Sequence, residues 1–242
     1  MYSRVVTIDR TFTGDYEKDN KTLIEIAEDP VTAAFAAQRA EVVMNIHHKI
    51  TYGTPSAPNY PERAGMARKV FDELFPIAHF ANLYYCASEE VTICWKNGGQ
   101  NFDATVDDKR NNSVRSSIRY LEVTTLQDRQ DSELLTQLAE NGTFSSEGDS
   151  TQLDHERKIT SLRTALEKKG KKKYPPETAL LVYTDEGRFQ RFSYGAQSSQ
   201  IDVKKSFSDV VNEMKHLLTG FSQVFIYSKN EIYSSITTNV RQ

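Results

Sequence analysis

A chain of 242 residues with 38% hydrophobic and 26% charged positions, in which glycine brings the apolar share to about 43%, lies close to the globular average and excludes fibrous, collagenous and wholly disordered classes. Thirty basic against 33 acidic residues leave a net charge of −3, so there is no whole-molecule cationic field, and any nucleic-acid contact has to be local. No apolar run approaches the ~18–20 residues of a bilayer span, and the opening MYSRVVTIDRTFTGDYEKDN lacks the basic-then-apolar pattern of a signal peptide; the sequence reads as a soluble, cytoplasmic protein able to bury a sizeable core.

Residues 1–30 mix polar and apolar positions without a sustained period and read as an irregular arm with one short strand at Arg4–Ile8. A helix is predicted over Val31–Ile50, opened by Pro30 in the manner of an N1 proline. The stretch Thr51–Pro61 holds three prolines and a glycine and is predicted as a loop before a second helix over Glu62–Phe75. From His79 to Val106 the segments HFANLYYC, VTICW and NFDATV are short and rich in aromatic and β-branched residues, with NGGQ as a hairpin turn, which predicts two or three antiparallel strands. Within them Cys86 and Cys94 read as buried small hydrophobes rather than a disulfide or a metal pair.

After the polar DDKRNNSVRSS, the run RYLEVTTL reads as the next strand. A helix over Asp131–Glu140, capped at Asn141-Gly142, and the loop SSEGDS lead to a further helix over Asp154–Lys169. There Ile159, Leu162 and Leu166 share one face, Arg and Lys cover the other, and Gly170 ends the helix. Past Tyr174-Pro175-Pro176, ALLVYTD is apolar enough to be a central strand buried on both faces. A hairpin through RFQRFSYG, a helical stripe over Val203–Leu218 and a last strand VFIYS complete the pattern. The expectation is one mixed α/β domain over residues 31–242, its central sheet flanked by helices on both faces.

Two acids fall where a sheet can present them together, Asp103 in NFDATV and Glu122 in YLEVTTL, nineteen positions later. Side chains alternate along a strand and neighbouring strands lie ~5 Å apart, so both carboxylates can point to one face and hold a divalent cation. Mg²⁺ takes oxygen ligands, commonly one or two carboxylates with water and substrate phosphate. The bland alternative is a pair of solvent-facing acids on half-buried strands.

The run Asp103-x18-Glu122-Val123-Thr124, followed by the αβ unit DHERKITSLRTALEKKGKKKYPPETALLVYTD, resembles the PD-(D/E)xK phosphodiesterase superfamily, the restriction-endonuclease-like fold. The resemblance covers about Val31 to Asp185. It implies an αβββαβ core, to which the C-terminal helix and strand are additions, and a nuclease that hydrolyses phosphodiester bonds of DNA with Mg²⁺ or Mn²⁺. Asp103 and Glu122 would then be metal ligands, with Glu41 on the first helix as a third carboxylate candidate; an ordinary helix-surface role is the other reading of Glu41. The third motif position, a lysine in the family, is Thr124 here. Threonine can position a water through a hydrogen bond but brings no positive charge to it; Gln127 is a nearby polar candidate, and Lys158 or Lys168 on the following helix are candidates for the missing lysine.

The segment EKKGKKKY gathers Lys168, Lys169, Lys171, Lys172 and Lys173 at a helix end, where cations complement the helix dipole and can grip phosphates. The five histidines show no metal spacing, GxSxG is absent, and Gly98-Gly99 lacks the Lys-Ser/Thr of a phosphate loop, which leaves no pattern for zinc, serine-histidine or P-loop chemistry. The rival to the nuclease is a non-catalytic module that keeps the fold, has lost the motif lysine, and binds nucleic acid or protein. A structural protein with merely solvated acids is a third reading. A homodimer suits an enzyme that cuts both strands of a duplex.

Overall fold

The computed structural model describes residues 10–53, 65–111, 116–126, 151–184 and 201–238. These fall in two compact units, Met1–Ser117 and Ile118–Gln242. The predicted strand Arg4–Ile8, most of the loop after Thr51, the helix Asp131–Glu140 with its cap and loop, the hairpin RFQRFSYG, and Gln127 lie outside the described residues.

In the first unit, residues read as an irregular arm form helix α1, Tyr16–Glu28. Asp15 caps it by accepting from Lys18 N, and Leu23, Ile26 and Ala27 form its buried face. The entry is locked by Asp19, 2% exposed, which accepts from Thr13 N (2.7 Å), Thr13 Oγ1 (2.9 Å) and Gly14 N (2.9 Å). The Thr13 backbone N–H is the largest of the influences holding its carboxyl below the usual range. Gly14 has φ +79°, a conformation that favours glycine.

Pro30 does not open a helix: Val31–Thr32 form the short strand β1, and a 3-10 turn, Ala33–Phe35, leads into α2, Ala36–Gly53. Two β-branched residues after proline favour extended backbone and explain the delay. Helix α3, Gly65–Lys69, runs through a π-helical turn, Val70–Leu74, into α4, Phe75–Tyr84. HFANLYYC is therefore mainly helical rather than a strand. The period of burial overrides aromatic β propensity, since Ile77, Phe80 and Ala81 share a buried helix face and the Phe80 and Tyr84 rings stack at 5.0 Å. Cys86 follows at φ 53° and is exposed, not buried, while Tyr85 turns into the core; Cys94 is half-buried and both thiols are free.

Strand β2, Val91–Trp95, pairs antiparallel with β1 and with β3, Ala104–Asp108, Ile93 standing opposite Val106. At the end of β3, Asp108 is 4% exposed and accepts from Arg110 Nη2 (2.7 Å), Nε (2.9 Å) and N (3.1 Å) and from Ser116 N (2.8 Å). The Arg110 guanidinium also lies 5.2 Å over the Tyr85 ring.

The second unit starts with β4, Tyr120–Thr125. Helix α5, Thr151–Gly170, returns the chain to β5, Thr178–Tyr183, which pairs parallel with β4; α6, Val203–Met214, does the same for β6, Gln223–Tyr227. Beyond the expected last strand, Ile232–Thr237 forms β7, antiparallel to β6. Its β-branched and aromatic residues after the Lys229-Asn230 turn carry that signal. Strand β5 is buried on both faces, as its run of apolar residues predicts.

Leu180, Val182, Val224 and Ile226 meet Leu162 and Leu166 of α5 and Phe207, Val210 and Val211 of α6 in one core. Both described helices of this unit therefore cover the same sheet face. The architecture is mixed α/β, and no described helix is long and apolar enough to cross a membrane.

Gly170 ends α5 as expected, and for a specific reason: a Cβ there would meet Leu217 O at 2.6 Å. Gly170→Ala is expected to destabilise by about 1–3 kcal/mol, against the helix propensity of alanine, because the clash is with backbone; urea unfolding measures it.

Acid unfolding is expected to depend on Asp108. Burial alone would raise its carboxyl, but the Arg110 guanidinium and the backbone N–H groups of Ser116 and Arg110 outweigh burial and hold it at about 2. The folded value lies below the ordinary ~3.9, so this contribution is complete above about pH 4 and is lost as pH falls toward 2. Asp108→Asn is expected to lower stability by about 2 kcal/mol at pH 7 and to flatten the acid limb of the unfolding midpoint between about pH 4 and 2.

Candidate functional site

Glu122 occupies the third position of β4 and points to the face that α5 covers, in register with Leu180. It is 5% exposed on a strand whose neighbours Leu121 and Val123 are also buried. An ionised carboxylate in such a place needs a partner, and α5 supplies it. Lys169 Nζ lies 2.6 Å from Glu122 Oε1 and donates a second bond to Val123 O at 3.0 Å. Tyr174 Oη stands 3.5 Å from the same Oε1, and its ring packs on Phe221 at 4.3 Å.

Helical spacing explains why Lys169 and not its neighbours arrives here. Leu162, Leu166 and Lys169 fall at i, i+4 and i+7, so the lysine prolongs the apolar stripe toward the sheet. Counting back along the same stripe, Lys158 and His155 are also buried, at 5% and 7%. Helix α5 thus turns toward the core a stripe that is leucine in its middle and basic at both ends. Lys168, offered as a substitute for the motif lysine, is exposed, as are Lys171, Lys172 and Lys173. Reading Arg and Lys as the outer face of α5 misses Lys169 in this role; extending the Leu162–Leu166 spacing by one step finds it. Tyr174 carried no comparable signal, since its contact depends on how the chain turns after α5. Thr124 is half-buried two positions beyond Glu122, on the same strand face.

The other acids belong to the first unit. Asp103 is half-buried at the bend before β3, and its carbonyl accepts from Lys96 N at 2.8 Å. The hairpin it ends is braced. Gln100 Nε2 donates to Lys96 O (3.1 Å) and Phe102 O (3.0 Å), Asn97 N donates to Glu28 Oε1 (2.9 Å), and Lys69 Nζ donates to Asn97 Oδ1. Trp95 Nε1 donates to Glu73 Oε2 at 2.7 Å. Glu41 is exposed on α2. Glu122 is thus the one member of the expected carboxylate set in the second unit, and among the described residues no group of three His, Cys, Asp or Glu gathers in a way that could hold a metal ion.

Comparison with known protein families, with characterised proteins and with solved structures finds no match.

Lys169→Met would leave Glu122 as an uncompensated buried charge. The expected cost is about 3 kcal/mol at neutral pH, the low end for a broken buried pair because Lys169 keeps some solvent contact. The double variant Glu122→Gln/Lys169→Met should recover a large part of that stability in urea unfolding, a coupling of about 2 kcal/mol.

Proposed function

We infer that the chain is a metal-dependent nuclease acting on phosphodiester bonds of DNA. The observation that carries this reading is the ammonium of Lys169 at 2.6 Å from the Glu122 carboxylate. The motif resemblance calls for an acid and a lysine side by side; with Thr124 in the usual lysine position, α5 brings a lysine to the acid instead. The order α4, β2, β3, β4, α5, β5 in the chain also follows the αβββαβ sequence of elements that the resemblance implies.

The donor chemistry suits Mg²⁺ or Mn²⁺, which take hard oxygen ligands and need only one or two protein carboxylates. Glu122 is the ligand that the second unit offers; Asp103, in the first unit, is named by the resemblance alone, and nothing around the exposed Glu41 supports it as a third. When bound, such an ion makes water a stronger nucleophile and offsets charge on the scissile phosphate. The chain's own groups supply the rest. Lys169 and Tyr174 fix the orientation of Glu122 through Oε1, Thr124 offers a hydroxyl to a water on the same strand face, and the exposed lysines after α5 contact the nucleic-acid backbone.

A second reading, a binding module without catalysis, is favoured by one observation: Glu122 is almost wholly buried with Oε1 committed to Lys169. In that case the pair is a structural tie and the lysine cluster is the functional surface.

Cleavage of labelled single- and double-stranded DNA with Mg²⁺, Mn²⁺ or EDTA separates the two. The nuclease should cut only with metal, and Asp103→Asn and Glu122→Gln should each lower the rate by a factor on the order of a hundred or more, as removal of a metal ligand implies, in protein that still unfolds cooperatively. Metal-independent behaviour, or full activity in both variants, would sink the assignment. DNA binding without any cutting would select the module.

A further inference from the structure

The lysine cluster after α5 has a neighbour that its sequence position does not suggest. The chain leaves α6 through a 3-10 turn, Lys215–Leu217, and this turn lies against the end of α5, where the bare Cα of Gly170 accepts the close approach of Leu217 O. A few residues on, a Cβ at Gly220 would stand 3.9 Å from Lys172 O and 3.8 Å from Tyr174 Cδ2, and the Tyr174 and Phe221 rings pack at 4.3 Å. Segments 168–174 and 215–221 therefore run side by side. Lys168, Lys171, Lys172 and Lys173 are exposed on the first, and Lys215 and His216 on the second.

Neither segment contains an Asp or Glu. Of the acids that flank them in the chain, Glu167 sits at the edge beside Lys168, while Glu177 is held by Arg119 (2.8 Å) and Glu213 by Arg163 (2.6 Å). Lys168, Lys171, Lys172 and Lys215 form no ion pair among the described residues. A protein with a net charge of −3 thus keeps a local cationic surface built from two separate segments.

We propose that this two-segment surface is the binding face for a nucleic-acid backbone, with Lys215 and His216 extending the contact beyond the α5 lysines. Spaced phosphates match spaced ammonium groups, and each phosphate neutralised releases counterions. An anionic membrane is the poorer partner, because surface attachment gains strength from apolar side chains buried at the headgroup boundary in addition to charge attraction, whereas here Leu218 and Phe221 are buried and Leu217 is half-buried. The inference rests on the nucleic-acid substrate of the proposed function but not on its chemistry.

Fluorescence anisotropy with a labelled DNA duplex in EDTA, over a salt series, tests the surface without cleavage. Lys215→Gln and Lys171→Gln/Lys172→Gln should each weaken binding, roughly threefold or more per lysine at ~100 mM salt, and flatten the slope of log K against log salt by about 0.9 for every phosphate that is no longer neutralised. Lys21→Gln, on the exposed side of α1, should change neither. If Lys215→Gln behaves like Lys21→Gln, or if wild-type protein binds phosphatidylserine vesicles but not the duplex, the proposal is overturned. Metal-dependent cutting with an unchanged Lys215→Gln affinity would refute the surface and leave the nuclease standing. Salt-sensitive binding that disappears in the lysine variants, without cutting, would do the reverse.

Discussion

A carboxylate in the apolar middle of β4 is the constraint around which the second unit is organised. Isolated, Glu122 would carry a desolvation cost of several kcal/mol, so the fold is viable only if a cation is delivered to the same spot. Delivery requires α5 to have the right length and phase: Lys169 must follow Leu162 and Leu166 on the sheet-facing stripe, and the helix must stop immediately after it. Gly170 provides the stop and also the room, since the 3-10 turn after α6 occupies the space a side chain would need. One electrostatic requirement on a strand thereby fixes the register of a helix, its terminus and the seating of a second connection.

Such a pair is weak evidence for stability as such, because an apolar pair of the same volume commonly does as well. Its presence calls for another reason. Under the proposed function that reason is an acid and a lysine held in contact beside an exposed run of cations; under the binding reading the pair is a structural tie beside the same surface. In both cases Lys171 and Lys172 stay available to an external anion because Lys169 alone turns inward.

Elements whose hydrophobic period was strong were legible in the sequence. The stripe of Ile159, Leu162 and Leu166, the glycine stop, the apolar run of β5 and the stripe from Val203 all appear where their patterns place them. Failures came where two signals competed. HFANLYYC carries aromatic β propensity, yet its helical burial period prevails; Val31-Thr32 interrupts an otherwise helical run with β-branched residues; and the helix Tyr16–Glu28 was hidden by a polar majority, although Asp15 and the spacing of Leu23, Ile26 and Ala27 announce it. β7 is weakly signalled because its alternation follows only a short turn.

The site was legible to a smaller extent, for a physical reason. Glu122 stood out because an acid in an apolar strand is costly, whereas the identity of its partner depends on three-dimensional phase, where one residue, a rotation of ~100°, separates inward-facing Lys169 from exposed Lys168. The same step separates two chemistries. The lysine facing inward is neutralised by a fixed carboxylate, while Lys168, Lys171 and Lys172, facing outward, can meet a mobile anion. A run of five lysines that reads as one feature in the sequence is therefore two in the folded chain, and the Leu217 turn against Gly170 joins Lys215 to the outward-facing group.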